Sequence, residues 1–151
     1  MTATPIVSVV VPVRNEAGNV EPLITEIERA LMPEGPFEII YVNDGSTDST
    51  LSLLEDLARR FSRVKVKNLE KNSGKAEAVR QGLLAVIDSG FSWIGYADAD
   101  FATPALELTR LMSFTSEESN QIILGSRVRL LGAKIERKPI RHYLGRVFAT
   151  L

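Results

Sequence analysis

The chain has 151 residues, of which 44% are hydrophobic and 25% charged, with a formal net charge of −1. That length suits one soluble domain with a sizeable core, and the near-neutral charge gives no global pull toward nucleic acid, so no such partner is expected. With no cysteine and a single histidine, His142, disulfides, thiolate metal sites, cysteine nucleophiles and histidine-built zinc sites are excluded.

Ile6-Val-Ser-Val-Val-Val-Pro-Val13 is β-branched and nearly continuous, the pattern of a strand buried on both faces. It has no basic region before it and is broken by Ser8 and Pro12, so it does not read as a leader peptide. After the polar loop Arg14–Asn19, Val20, Leu23, Ile24, Ile27 and Leu31 make one helical stripe, which Pro33-Glu-Gly-Pro36 ends. Phe37–Val42 reads as the second strand and Asn43-Asp-Gly-Ser-Thr-Asp48 as a tight polar turn. One of Ser46, Thr47 and Asp48 is expected to cap the next helix, marked by Leu51, Leu54, Leu57, Ala58 and Phe61.

A short strand at Val64–Val66 leads to Asn72-Ser-Gly-Lys75, then to a helix over Ala76–Ile87 with Val79, Leu83, Val86 and Ile87 on its buried side. Trp93–Ala97 is the next strand, running straight into Asp98-Ala-Asp100. Thr103 as N-cap and Pro104 as first helical residue predict a helix to Phe114, and Gln121–Gly125 predicts a further strand. Strand and helix alternate throughout, which predicts a single α/β domain over residues 1–151 with a mostly parallel sheet flanked by helices.

The unusual polar residues fall just after the predicted strands: Arg14-Asn15-Glu16, Asn43–Ser46, Asn72–Lys75 and Asp98–Asp100. In a parallel sheet those loops share one edge and converge on one crevice. Two aspartates one residue apart repel each other unless a cation offsets them. Mg²⁺ or Mn²⁺ does so well, with phosphate oxygens completing its shell; the bland alternative is a solvated acidic turn. Asp44 suits hydrogen bonds from a base or ribose, and Lys75 or Arg80 suits a phosphate. Ser73-Gly74-Lys75 is not the end of a phosphate-binding P-loop, because Leu69 replaces its first glycine and Ala76 its hydroxyl residue.

Val10-Val-Pro-Val-Arg-Asn-Glu16, Glu38–Asp48, Asn72–Gly82, Ala97–Pro104 and Gly125-Ser-Arg127 together resemble the family-2 glycosyltransferases of the GT-A (Rossmann-like) fold. The resemblance is to the branch that transfers sugars to dolichyl or other polyprenyl phosphates. It implies inverting, metal-dependent transfer of a hexose, glucose or mannose, from a UDP- or GDP-sugar to a polyprenyl phosphate. The alternatives are transfer to a glycan or other hydroxyl acceptor, and a nucleotide-sugar-binding module without turnover. By position, Pro12, Val13, Glu16, Asp44 and Lys75 would form the nucleotide-sugar site, and Asp98 and Asp100 would hold the metal. Asp100 and Arg127 would act on the reaction itself, Arg127 by neutralising phosphate. Ala102 stands where mannosyl members often carry glutamine, which tilts the expectation toward glucose. The family usually continues beyond this point, so the domain is expected to be incomplete at its C-terminal end.

In the basic tail 137–151, Ile140, Tyr143, Leu144, Val147, Phe148 and Leu151 share a helical face ringed by Arg137, Lys138, Arg141 and Arg146. That pattern is either an interfacial membrane helix or a helix that buries its stripe against protein. No segment approaches the roughly 20 apolar residues of a membrane span. The expected location is cytoplasmic, or peripheral on the cytoplasmic membrane face.

Overall fold

The computed structural model describes residues 7–100, 103–114 and 122–125. Arg127, Ala102, His142 and the basic tail lie outside the described residues. The chain divides into two compact units, Met1–Ser119 and Asn120–Leu151, and every regular element described belongs to the first.

Four strands form one parallel sheet in the order β3-β2-β1-β4: β1 (Val7–Val13), β2 (Phe37–Asp44), β3 (Val64–Leu69) and β4 (Trp93–Tyr96). The helices are α1 (Val20–Leu31), α2 (Thr50–Arg60), α3 (Lys75–Val86) and α4 (Leu106–Met112), with a 3₁₀ turn at Met32–Glu34 where Pro33 ends the first helix. Val7, Val9, Val11 and Val13 pack with Ile39, Tyr41 and the buried faces of α1 and α2. Val10, Ile40 and Val42 on the other side meet α3. Both faces of the sheet are therefore covered, which is why β1 and β2 carry no polar alternation.

The strand order places the site. The chain runs β1 to β2 to β3 outward, then returns to lay β4 on the other side of β1. The carboxyl ends of the neighbouring strands β1 and β4 therefore lie side by side at the point where the strand order reverses, the usual place for a ligand crevice in an open α/β sheet.

Four expectations need correction. Asn43 and Asp44 are the last residues of β2, 1% and 4% exposed, and not part of the turn. On α3 Val86 is buried and Leu83 packs against the core as expected, but the helix also buries Ala78 and Gly82, and Ile87 is 61% exposed. Gly82 explains this: a Cβ there would lie 2.3 Å from Val10 Cγ1 and 2.9 Å from Val42 Cγ2, so the helix sits on the sheet at small residues rather than large ones. Helix α4 begins at Leu106 with Ala105 as N-cap, because Pro104 and Ala105 carbonyls are taken by tight bonds from Glu107 and Leu108 N–H. Ile122–Gly125 carry no regular structure, and Ile122 and Leu124 are exposed.

Tyr41 ties the central strand pair to α1: its hydroxyl donates to the Val20 carbonyl at 2.9 Å in a fully buried position. Tyr41→Phe is expected to cost about 1–2 kcal/mol in chemical denaturation, because the carbonyl loses its donor. Burial also pushes the Tyr41 phenol well above its ordinary range. The folded state thus favours the protonated phenol, and that contribution fades as pH rises past the unfolded value of about 10. The difference between wild type and Tyr41→Phe should therefore shrink above that pH.

Candidate active site

The loops after β1 and β2 are laced together by side chains that accept backbone N–H groups. Ser46 Oγ accepts Asn15 N–H at 3.0 Å, Thr50 Oγ1 accepts Glu16 N–H at 2.9 Å, and Asn15 Oδ1 accepts Thr47 N–H at 2.8 Å. Asn15 adopts a left-handed φ of 54°, which asparagine tolerates better than most residues. Its neighbours Arg14 and Glu16 both line the cleft that the loops enclose. Asp48 accepts the Thr50 N–H at 2.9 Å and so serves the start of α2, although the N-cap position itself is Ser49. Hydrogen bonds from the Thr50 side chain and backbone hold the Asp48 carboxyl below its usual range.

The loop after β3 is fixed by Asp44. Its Oδ1 accepts Ser73 N–H at 2.6 Å and its Oδ2 accepts Gly74 N–H at 2.9 Å, so one buried carboxylate clasps two successive amides. The loop approaches so closely that a Cβ on Gly45 would lie 2.4 Å from the Asn72 nitrogen. Gly45 and Gly74 have φ of 60° and 91°, conformations that favour glycine. Asn43 adds a strut from β2 to β3 by donating to Asn68 at 2.7 Å.

The four loops enclose a cleft of about 440 Å³ lined by Pro12, Val13, Arg14, Glu16, Asp44, Asn72, Gly74, Lys75, Asp98 and Asp100. Its size is that of a small-molecule site. Pro12, Val13, Glu16, Asp44, Lys75, Asp98 and Asp100, all singled out from the sequence, meet here, while Arg127 lies outside the described residues. Arg80 does not line the cleft. It makes two hydrogen bonds to Glu77 on α3 at 2.8 and 2.7 Å, and Arg80 and Gln81 hold the Glu77 carboxyl down at about 2. Arg14, Asn72 and Gly74 also line the cleft; they belong to the loops expected to converge there, but sequence reasoning assigns none of them a ligand role.

Asp98 and Asp100 both face the cleft, with buried Ala99 turned inward between them. The Lys75 ammonium lies 2.5 Å from Asp98 Oδ1. Oδ1 is shielded from solvent, so the ammonium rather than water offsets its charge. A shielded carboxylate oxygen suits a cation, and a carboxylate pair suits a hard one. Among the described residues no group of three acidic or histidine side chains could hold a metal.

A parallel α/β sheet with its cleft at the strand-order switch, paired aspartates on one side and cations beside them, has the layout in which open α/β domains place a ligand site. The chain belongs to the glycosyl transferase family 2, whose model matches residues 8–150, and its sheet with flanking helices is the GT-A fold. It is 37% identical over 153 residues to a dolichyl-phosphate beta-glucosyltransferase of Trichomonas vaginalis, covering 94% of this chain and 44% of that protein. It is 32% identical over 133 residues to a dolichol-phosphate mannosyltransferase of Pyrococcus furiosus, covering 88% and 36%. Among solved structures, S. aureus TarS 1–349 in complex with UDP superposes with a TM-score of 0.55 at 27% identity, covering 72% of this chain and 31% of that one. The chain thus spans less than half the length of these relatives.

Proposed function

We propose that residues 1–151 form one domain that carries the donor site of an inverting hexosyltransferase. The donor is a UDP- or GDP-hexose carrying glucose or mannose, and the acceptor is a polyprenyl phosphate of the dolichyl type. The observation that carries this reading is the cleft at the β1/β4 switch, where Asp98 and Asp100 stand beside Lys75 in a volume suited to a nucleotide sugar. The names of the similar glucosyl- and mannosyltransferases and the UDP bound to TarS support it.

In this reading Pro12 and Val13 wall the nucleotide, Glu16 and Asp44 supply acceptors around it, and Asp98 and Asp100 hold Mg²⁺ or Mn²⁺. The bound metal would neutralise charge on the departing diphosphate. Lys75 adds positive charge where that diphosphate gains it, so the leaving group is stabilised with little solvent reorganisation; neutralising phosphate is the role proposed for Arg127. The acceptor phosphate oxygen forms the new bond to the anomeric carbon, the bond from that carbon to the diphosphate oxygen breaks, and the electron pair leaves with the nucleoside diphosphate. An anionic phosphate needs no proton removed, whereas a sugar hydroxyl needs a base.

Among the described residues no helix is long and apolar enough to cross a membrane. We place the domain in the cytoplasm or on the cytoplasmic membrane face; the basic 137–151 segment either contacts that membrane or buries its apolar stripe against protein.

Calorimetric binding of UDP-glucose and GDP-mannose, with and without Mn²⁺, tests the donor site. One donor is expected to bind only with the metal, and Asp100→Ala to weaken it by about tenfold or more, since even residues supporting metal ligands contribute that much. Binding of neither donor by the folded wild type would overturn the reading. Transfer to polyprenyl phosphate, rather than to a hydroxyl acceptor or not at all, then decides the acceptor.

A further inference from the structure

We propose that Lys75 is an exchangeable counter-ion of Asp98, and that this exchange couples metal binding to nucleotide binding. The inference rests on the reading of the cleft as a nucleotide-diphosphosugar site. Three observations carry it.

The first is the ion pair itself, with Lys75 Nζ at 2.5 Å from Asp98 Oδ1. A divalent cation binds carboxylate oxygens at about 2.0–2.6 Å. An ammonium at that distance occupies space a cation on the same oxygen would need, and the two positive charges repel, so entry of the cation displaces the ammonium.

The second is an asymmetry between the partners. The Lys75 side chain is 58% exposed, whereas that of Asp98 is 24% exposed, with Oδ1 shielded from solvent. The flexible lysine stem is the part that can swing away, while the carboxylate stays.

The third is the tether. Lys75 directly follows Ser73 and Gly74, whose amides Asp44 holds, and Asn72 Oδ1 also accepts the Gly74 N–H at 3.2 Å. None of these bonds involves Asp98. Loss of the ion pair therefore leaves the Lys75 backbone where it is, and the released ammonium remains in the cleft.

The consequence is a linked equilibrium. A divalent cation arriving alone must break the Lys75–Asp98 pair and leave an unpaired ammonium beside itself. A cation arriving with a diphosphate breaks the same pair but brings new anionic partners for the ammonium. Metal and nucleoside diphosphate then each raise the affinity for the other, with Lys75 as part of the link.

The test measures Mn²⁺ binding by the electron paramagnetic resonance signal of the free ion, with and without UDP or GDP. Wild type is compared with Lys75→Met and Arg14→Met. Arg14 lines the same cleft and is exposed, but it makes no ion pair with Asp98, so its variant removes equal charge without the exchange. Lys75→Met should bind Mn²⁺ alone about two- to fivefold more tightly, the range of a partly exposed ion pair. It should bind the nucleoside diphosphate with Mn²⁺ about tenfold more weakly, as a lost charged hydrogen bond predicts.

Unchanged or weaker binding of Mn²⁺ alone by Lys75→Met would overturn the exchange while leaving the donor site standing. So would an equal gain in Arg14→Met, because overall charge would then explain the effect. Failure of folded wild type to bind Mn²⁺ even with UDP or GDP would overturn the donor site and the exchange together.

Discussion

Asp44→Ala is expected to destabilise the domain by about 2–4 kcal/mol, because two hydrogen bonds to a carboxylate are lost together. The carboxylate is 4% exposed and accepts the Ser73 and Gly74 amides at 2.6 and 2.9 Å. Those amides belong to partly exposed residues, so water recovers some of the loss, and the figure stays below that for a fully buried pair. The larger consequence is functional. Without the clasp no described hydrogen bond ties the loop before α3 to the end of β2, and Lys75 is held less firmly beside Asp98. Donor binding should fall by more than the stability loss explains, at temperatures where the variant is still folded. Asp44→Asn separates the contributions: its amide retains one acceptor oxygen, so it should keep part of the stability. Denaturant unfolding and donor titration on the same samples measure both, and an Asp44→Ala protein with wild-type stability would exclude the clasp.

Gly45→Ala is expected to be as damaging for a different reason. The glycine has φ of 60°, and the added Cβ would lie 2.4 Å from Asn72 N and 2.6 Å from the Lys71 carbonyl carbon. Those neighbours are backbone atoms and cannot rotate aside. The loop must retreat and stretch the Asp44 bonds, so left-handed strain and overpacking together predict about 2–5 kcal/mol. Gly90 is the useful control. It also has positive φ, but a Cβ there meets nothing within 4 Å, so Gly90→Ala should show conformational strain alone. Equal melting-temperature losses in the two variants would mean that the Asn72 approach is not tight.

Much of this architecture was legible beforehand, for identifiable reasons. The stripe Val20, Leu23, Ile24, Ile27 and Leu31 is the buried face of α1, because large apolar residues at helical spacing have only one way to leave water. The buried run Val7–Val13 read as an inner strand because parallel strands covered on both faces cannot alternate. The same reasoning failed where packing, rather than hydrophobicity, chose the surface. On α3 the apolar count favoured Val79 and Ile87, yet the helix turns Ala78 and Gly82 to the sheet because only small residues permit that approach. At the end of β2, Asn43 and Asp44 looked like turn residues because they are polar. They are buried strand residues because Asn68, Ser73 and Gly74 satisfy their side chains.

The sequence by itself determined the α/β class, the four polar loops after strands, and the acidic pair at the end of the fourth strand, since these follow from residue type, period and spacing along one chain. Tertiary structure alone decided the rest. The return of β4 to the far side of β1 made the crevice, and no local pattern specifies which edge a strand joins. The pairing of Lys75 with Asp98 likewise depends on α3 and β4 meeting across that crevice. So does the role of Asp44, whose partners are 29 and 30 residues away. Hydrogen bonds and ion pairs act over a few ångströms of space, and separation along the chain carries no record of which groups will share them.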